Sequence, residues 1–253
     1  MIKLAVFDLD NTLLCSDKSI SAYSIDVLTK LRSKGCLIAY ATARPERALG
    51  RHVKSFVPNF VIANNGAVIV KNGKVIYSCI INNEIINTVL SQLADDSEIT
   101  CISAEVGEFL YTNYQGPSWG EGWNPIYNDF KSTCFESVIK ISTECENLGH
   151  VASIIEQYPD LHFYGNTGEP WQQIMNADAT KFNAIKRISE LYNIDISDIA
   201  AFGDDFNDIE MLRSCGIGVA MGNAIDEAKA AVDYVCGTND NDGAAKWIEK
   251  NLL

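Results

Sequence analysis

Two aspartates, Asp8 and Asp10, stand at the polar end of an apolar segment near the start of the sequence, IKLAVFDLDNTL at residues 2–13. Side chains two positions apart leave a β-strand on the same face, so both carboxylates are expected at one sheet edge, where open α/β folds bind their ligands. At about 4 Å and an effective dielectric constant of about 20, they repel each other by about 4 kcal/mol. The pair therefore predicts a bound cation or one protonated carboxyl group; this segment alone also allows a strand exit with two solvated acids.

A second acidic cluster, GDDFND at residues 203–208, also follows an apolar segment and precedes a helical pattern. Because the strand ends of a parallel sheet meet at one edge, Asp204 is expected to join Asp8 and Asp10 as a set of hard oxygen ligands. This set favours Mg²⁺, which commonly binds one or two carboxylates, several waters and a substrate phosphate oxygen. Acids at a helix start, where the helix dipole favours negative charge, are the structural alternative for the second cluster.

Donors for a phosphate group occur at two other places in the sequence. Thr42 and Arg44 end an apolar segment in YATARPE, and Lys181 opens a helical pattern. A phosphate beside Mg²⁺ needs donors that neutralise charge on its oxygens, and Thr42 and Lys181 are the candidates, with Arg44 as a further local cation. Each signal is weak alone, because a helix lysine is commonly solvated and a threonine hydroxyl often bonds the backbone.

The elements that must position these residues follow an alternating pattern. Strand-like and helical segments alternate over the first third of the sequence and again from residue 181 onward. This alternation predicts an α/β fold, a Rossmann-like parallel sheet with helices on both faces. In between, the pattern becomes mixed and rich in glycine and aromatic residues, which predicts an inserted second domain. The predicted division is a core of residues 1–81 and 178–253 and an insertion of residues 82–177.

Composition narrows the classes of protein and partner. The chain has 253 residues, 47% of them apolar, enough for a sizeable buried core. Its net charge of −13 argues against nucleic acids and membranes as partners, because both bind basic surfaces. No signal-type segment or membrane-length apolar run occurs, so a cytoplasmic location is expected. The eight cysteines show no metal-type spacing and are expected to be small buried side chains.

In order along the chain, DLDNT at residues 8–12, Thr42, Lys181 and GDDFND resemble the four motifs of the haloacid dehalogenase-like hydrolase superfamily. The insertion after the second motif and the downstream segments VAMGNAIDEAKAAVDYV and TNDNDGAAKWIEK are similar to the Cof-like phosphatase branch, whose members carry a large α/β cap domain. Asp10 occupies the position that distinguishes the phosphatases of the superfamily from its dehalogenases. Asn11 and Ala43 stand where glycine is common in this branch, and neither change removes a reacting group.

The resemblance implies a Mg²⁺-dependent phosphomonoester hydrolase. Asp8 would attack phosphorus to form an aspartyl-phosphate, while Asp10 protonates the leaving alkoxide and later deprotonates the hydrolytic water. Mg²⁺ would be held by Asp8, the backbone carbonyl of Asp10 and Asp204. The phosphate would be bound by Thr42, Arg44, Lys181 and Asn207. Around these groups, Asp208 and Asn207 are expected to orient Lys181 and metal-bound waters, and Asp205 is a further candidate for that role.

The expected substrate is a small phosphorylated metabolite, with sugar phosphates as the leading class. Aromatic residues of the predicted cap either stack on a sugar ring and exclude water or pack within the cap or a dimer contact: Trp119, Trp123, Tyr111, Tyr114 and Tyr127. Asn65, in Asn64-Asn65-Gly66, either touches substrate or forms a tight turn. Two other functions stay open from the sequence. One is a phosphomutase with the same intermediate, and the other is a non-enzymatic phospho-ligand module. The sequence does not indicate the oligomeric state.

Overall fold

The computed structural model describes residues 1–50, 54–115, 123–145, 147–165 and 171–253. The chain forms two compact units. The core unit comprises Met1–Tyr77 and Thr180–Leu253, and the inserted unit comprises Ser78–Ala179. The sequence-based boundaries, residues 82 and 177, lie inside the inserted unit. Among the described residues, no helix combines the length and apolar character needed to cross a membrane.

The regular elements are numbered here in chain order. The strands are β1 (Leu4–Phe7), β2 (Leu37–Ala41), β3 (Phe60–Ala63), β4 (Val68–Lys71), β5 (Lys74–Ser78), β6 (Cys101–Val106), β7 (Phe109–Thr112), β8 (Ile126–Tyr127), β9 (Val138–Glu144), β10 (Leu161–Gly165), β11 (Trp171–Asn176), β12 (Ile199–Gly203), β13 (Ile217–Ala220) and β14 (Tyr234–Val235). The α-helices are α1 (Ala22–Ser33), α2 (Asn83–Asp95), α3 (Leu148–Ile155), α4 (Lys181–Tyr192), α5 (Ile209–Ser214), α6 (Asp226–Ala230) and α7 (Gly243–Asn251). Shorter helical turns are Leu9–Leu13, Glu46–Ala48, Asn64–Gly66, Ile196–Asp198, Phe206–Asp208 and Asn239–Asn241.

The core unit is built on an eight-stranded sheet with the order β14-β13-β12-β1-β2-β3-β4-β5. The pairs from β14 to β3 are parallel, and β4 is antiparallel to β3. The central strand β1 is buried along its whole length, as a strand covered on both faces must be. From α7, Trp247 packs on Phe202 of β12, which in turn stacks on Phe7 of β1. The predicted α/β fold class is confirmed.

Four parallel strands of this sheet end almost level with one another. Phe7 pairs with both Phe202 and Tyr40, and Ala41 pairs with Ile62, so β12, β1, β2 and β3 finish within about one residue of each other. The segments that follow these strands therefore begin side by side at one sheet edge, the position at which open parallel sheets bind ligands.

The inserted unit contains a second, six-stranded sheet with the order β10-β11-β9-β6-β7-β8. Except for the parallel β7–β8 pair, these strands run antiparallel. Helices α2 and α3 supply Leu90 and Val151 to a buried apolar cluster that includes Ile102, Ile141 and Ile174 of the sheet. Because side chains alternate along a strand, the opposite face is the polar one. It carries buried polar side chains, including Ser103, Glu105, Thr112, Lys140 and Gln173.

Candidate active site

The chain leaves β1 in an irregular turn that separates the two aspartates of the first motif. The Asp8 N–H donates to the Phe202 carbonyl at 2.9 Å, which continues the β1–β12 pairing to the strand end. The turn then closes through the Leu14 N–H, which donates to the Leu9 carbonyl at 2.8 Å. Within it Asn11 has φ 59°, a left-handed conformation that asparagine tolerates better than most residues. The asparagine at position 11, where the resemblance leads one to expect glycine, is therefore compatible with this turn.

Lys181 lies buried between two carboxylates. Its Nζ donates to Asp8 Oδ1 at 2.7 Å and to Asp208 Oδ1 at 2.6 Å, and its side chain has no exposed surface. Lys181 is the first residue of α4, and the preceding Thr180 caps that helix by accepting a hydrogen bond from the Asn183 N–H at 3.1 Å. The cap fixes where the helix starts and hence where the ammonium group lies.

Gly66 brings this helix start close to the turn after β3. It has φ +107°, and an added Cβ would lie 2.0 Å from the Thr180 carbonyl oxygen. Only a residue without a side chain permits that approach. The Asn64–Gly66 turn thus helps to hold the helix that presents Lys181.

The segment after β12 is organised around Asp208. Its Oδ2 accepts hydrogen bonds from the Asp204 N–H at 2.9 Å and the Asp205 N–H at 3.2 Å. Asp205 in turn caps the Phe206–Asp208 turn through its own side chain. The Thr12 hydroxyl donates to Asp204 Oδ1 at 2.7 Å and so links the first motif to the last. Asp208 therefore contacts Lys181 with one oxygen and shapes the loop with the other.

Three buried carboxylates converge at this point. Asp8, Asp204 and Asp208 each offer one oxygen, and these oxygens lie within 4.8 Å of one another. Lys181 compensates only one of three negative charges. Clustered carboxylate oxygens with excess negative charge are the donor set that Mg²⁺ prefers. The residues present therefore fit a divalent cation of this class.

The raised pKa values of the carboxyl groups in the cluster reflect burial first and neighbouring negative charge second. Burial raises the pKa of Asp8 well above its usual range; Lys181 opposes this effect, and the charges of Asp208 and Asp204 add to it. Burial, with the charge of Asp208, raises the pKa of Asp204 to about 6 against the hydrogen bond from Thr12. Burial alone would lower the pKa of Lys181, but the charges of Asp208 and Asp8 raise it. A bound cation would favour the ionised carboxylates, as the pKa of a ligand falls beside positive charge.

The carboxylate of Asp10 does not belong to this cluster. Its Oδ1 accepts hydrogen bonds from Lys18 Nζ at 2.7 Å and Arg44 Nη2 at 2.6 Å, and its Oδ2 accepts one from Arg44 Nε at 2.7 Å. Burial acts to raise the pKa of Asp10, but hydrogen bonds from Arg44 and Lys18 bring it below its usual value. The expected set of Asp8, Asp10 and Asp204 thus differs from the observed carboxylate cluster, in which Asp208 joins Asp8 and Asp204.

The guanidinium of Arg44 contacts the Asp10 carboxylate. It forms a two-bonded ion pair with Asp10, the geometry that most favours a stable arginine–carboxylate contact. This pair uses two of the five N–H donors of the guanidinium, so the expected phosphate contact of Arg44 stays a prediction.

Thr42, Asn65 and Asn207 lie together at the same sheet edge. The buried Thr42 accepts a hydrogen bond from the Arg44 N–H at its hydroxyl oxygen (3.2 Å) and from the Asn65 N–H at its carbonyl (2.9 Å). Asn65 Oδ1 accepts from Asn207 Nδ2 at 2.8 Å. Asn64 and Asn65 both have positive φ, so the tight turn expected there is present. These contacts join the segments after β2, β3 and β12.

The aromatic residues considered for substrate stacking divide into several environments. Tyr111 packs on the apolar cluster of the inserted unit and contacts the Phe135 ring at 5.0 Å. Tyr114 contacts the Trp171 ring at 5.7 Å, whereas Tyr127 is 67% exposed. Trp123 is half-buried, and Trp119 lies outside the described residues. For Tyr111, packing within the inserted unit is the role that the structure supports.

Sequence reasoning missed Lys18 and gave Thr12 no separate role. Thr12 stands inside the DLDNT motif, four residues after Asp8, and this closeness was the available sign that its hydroxyl lies at the site. Lys18 follows Asp10 by eight residues through a loop, so no periodic pattern connects the two.

Both the sequence and the fold are similar to those of known proteins. The haloacid dehalogenase-like hydrolase family matches residues 5–248. A 5-amino-6-(5-phospho-D-ribitylamino)uracil phosphatase, YitU of Bacillus subtilis, is 27% identical over 98% of this chain and 96% of its own length. Among solved structures, BT1666 of Bacteroides thetaiotaomicron, one of the phosphatases of the same superfamily, is 26% identical, with a TM-score of 0.85 over 99% of this chain and 95% of its own. A haloacid dehalogenase-like hydrolase of B. subtilis is 24% identical and shares the fold, with a TM-score of 0.84 over 100% of both chains.

The resemblance recognised from the four sequence motifs is thereby confirmed. Because the family match spans nearly the whole chain and relatives named as phosphatases align with it over nearly their whole length, this chain belongs to the haloacid dehalogenase-like hydrolases and is a phosphatase of that superfamily.

Proposed function

We propose that this protein is a Mg²⁺-dependent phosphatase that hydrolyses small-molecule phosphomonoesters through an aspartyl-phosphate on Asp8. The observation that carries the proposal is the buried cluster in which Lys181 bridges Asp8 and Asp208 while Asp204 lies beside them. A carboxylate nucleophile and a phosphate are both anions, so their approach requires positive charge held close to both.

The metal ion would be held by the carboxylates of Asp8 and Asp204 and by the backbone carbonyl of Asp10, with Asp208 adjoining. When bound, Mg²⁺ supplies charge neutralisation between nucleophile and phosphate. The protein's own residues supply the remaining parts of the site. Lys181 Nζ donates a hydrogen bond to Asp8 Oδ1 and so holds the Asp8 carboxylate.

The phosphate would be received by Thr42 and Lys181, with Asn207 close by through its bond to Asn65. Fixed donors of this kind stabilise charge that develops on the transferred phosphoryl oxygens.

The proposed reaction has two displacements. Asp10 is ionised in the free protein, so it would first take a proton from solvent when substrate binds. In the first displacement, an oxygen of Asp8 forms a bond to phosphorus as the bond from phosphorus to the ester oxygen breaks, and Asp10 gives this proton to the departing alkoxide. In the second, Asp10 takes a proton from water as the water oxygen attacks phosphorus, which releases inorganic phosphate and restores the Asp8 carboxylate. Asp10 gives up one proton in the first displacement and regains one in the second, so protons balance over the two displacements.

Sugar phosphates and related polyol phosphates are the proposed substrate class. The name of the relative YitU describes a substrate whose phosphate stands on a ribityl chain. This chain's net charge of −13 gives no long-range attraction for anions. Capture would therefore depend on local groups such as Lys181 and on the metal.

The test is phosphate release from a panel of sugar and polyol phosphates and from 4-nitrophenyl phosphate. Asp8→Asn should lower turnover to background in every case while circular dichroism stays unchanged. Asp26→Asn is the matched control, because Asp26 is an exposed aspartate of the same unit that pairs only with a surface lysine in the described contacts. EDTA should silence the wild type, and added Mg²⁺ should restore it. Substantial turnover by Asp8→Asn would refute the assignment of the nucleophile. Phosphorus NMR of the products distinguishes hydrolysis from a mutase reaction.

A further inference from the structure

The carboxylate of Asp10 is held by two cations that come from different parts of the core unit. Arg44, which follows β2, donates to both carboxylate oxygens of Asp10. Lys18, in the loop before α1, donates a second hydrogen bond to Oδ1. A carboxylate oxygen has about two acceptor positions. Oδ1 therefore has both positions filled in these contacts, whereas Oδ2 has one filled by Arg44 and one remaining.

Hydrogen bonds of the backbone and of one side chain hold the loop that carries Lys18. The Lys18 N–H donates to the Cys15 carbonyl at 2.8 Å, and the Cys15 N–H donates to the Ser19 carbonyl at 2.9 Å. Both the N–H and the hydroxyl of Ser16 donate to Asp240, each at 2.7 Å. Lys18 itself has φ +64°, a conformation that costs energy for a residue with a side chain. The lysine is thus presented by an anchored turn and not by a free surface segment.

We propose that Lys18 is a positioning residue for the phosphatase reaction, which fixes the orientation of Asp10 and leaves Oδ2 as the oxygen that exchanges protons with leaving group and water. The inference rests on the proposed function, in which Asp10 carries the proton. Arg44 alone fixes the plane of the carboxylate. Lys18 makes its two oxygens unequal by occupying the remaining position on Oδ1.

The consequence is a dependence on the leaving group. Phenoxide is basic and needs a proton as it departs, whereas 4-nitrophenoxide departs readily without one. General acid–base catalysis contributes about 10²–10⁴-fold, so a misplaced but present carboxyl group should lose only part of that factor. Removal of the Lys18 charge should therefore slow the hydrolysis of phenyl phosphate much more than that of 4-nitrophenyl phosphate.

The experiment compares kcat/KM of full-length wild type and Lys18→Met for these two esters in the presence of Mg²⁺. We expect a loss of about tenfold for phenyl phosphate and of less than about threefold for 4-nitrophenyl phosphate. Lys18→Arg should recover most of the loss, since a cation returns to Oδ1. Lys3→Met is the matched control, because Lys3 also pairs with an aspartate, Asp198, at 2.6 Å and is similarly exposed.

An equal loss for both esters in Lys18→Met would assign Lys18 to substrate binding or to the fold and would overturn the inference. Unchanged kinetics, or failure of Lys18→Arg to recover activity, would overturn it as well. The proposed function fails in a different way, namely if wild type releases no phosphate or if Asp8→Asn retains turnover. In that case the proposed role of Lys18 is refuted together with the proposed function.

Discussion

Replacement of Lys181 by methionine tests the charge balance of the active site directly. Methionine keeps most of the length and apolar character of lysine but removes the ammonium group. In the wild type that group makes two short hydrogen bonds, 2.7 Å to Asp8 and 2.6 Å to Asp208, with no exposed surface. Lys181→Met would leave three buried carboxylates without their shared cation.

The expected cost is large because a buried charge loses its partner. Breaking a buried pair by removal of one member typically costs about 3–5 kcal/mol. Since folded domains are stable by only about 5–15 kcal/mol, this loss is a substantial part of the total. Saturating Mg²⁺ stabilises every variant that binds it, by about 2.7 kcal/mol at a hundred times the Kd, so the cost is measured without the metal. Removal of a second charge in Lys181→Met/Asp208→Asn should make the double variant more stable than the single one.

The assay is urea unfolding in EDTA at neutral pH, followed by circular dichroism. Hydrogen exchange of peptides from β1 and β12 assigns the transition to the core unit. Lys30→Met is the control, because Lys30 pairs with Asp26 on the surface of α1 at 2.7 Å and such pairs contribute about 0–1 kcal/mol. A loss below about 1 kcal/mol for Lys181→Met, or a double variant less stable than the single one, would refute the argument.

Two further predictions concern the same edge of the sheet. Gly66→Ala should destabilise the core unit by about 1–3 kcal/mol, because its Cβ would collide with the Thr180 carbonyl; Gly73→Ala, with similar positive φ and open space, should lose less in the same urea assay. The raised pKa of Asp204, about 6, means that the folded protein binds this proton more tightly than the unfolded chain. In EDTA, the stability of wild type relative to Asp204→Asn should therefore fall as the pH rises from about 4 through 6, measured by melting temperature. A difference in melting temperature between wild type and Asp204→Asn that does not change with pH would contradict the raised pKa of Asp204.

The sequence was sufficient for the α/β fold because that fold depends on local pattern. The alternation of apolar and helical segments determined the parallel sheet, and the order of the strands brought Asp8, Thr42 and Asp204 to one edge. Adjacent strand ends are a consequence of topology, so residue types at those ends were informative. The convergence of Lys181 on Asp8 required more, namely a helix start fixed by Thr180 and Gly66.

The details that sequence reasoning could not supply depend on backbone conformation within single turns. The rule that side chains two apart share a face holds only while the strand continues, and the strand ends at Phe7. From Asp10 to Asn11 the backbone is not helical, with φ 59° at Asn11. The Asp10 carboxylate therefore turns to cations whose positions no spacing rule encodes.

The two aspartates of the first motif consequently differ in the cation that each receives. Asp8 shares a buried lysine with Asp208 and keeps a raised pKa until a metal binds, whereas Asp10 is ionised beside Arg44 and Lys18. A proton carrier that begins so strongly paired must release at least one of these bonds when it is protonated, because a neutral carboxyl group is a weaker acceptor. Proton transfer by Asp10 is thus coupled to the contacts of Arg44 and Lys18. The rate of the first displacement should therefore depend on Lys18 and on the pairing of Arg44 with Asp10, as well as on the residues proposed to hold the metal.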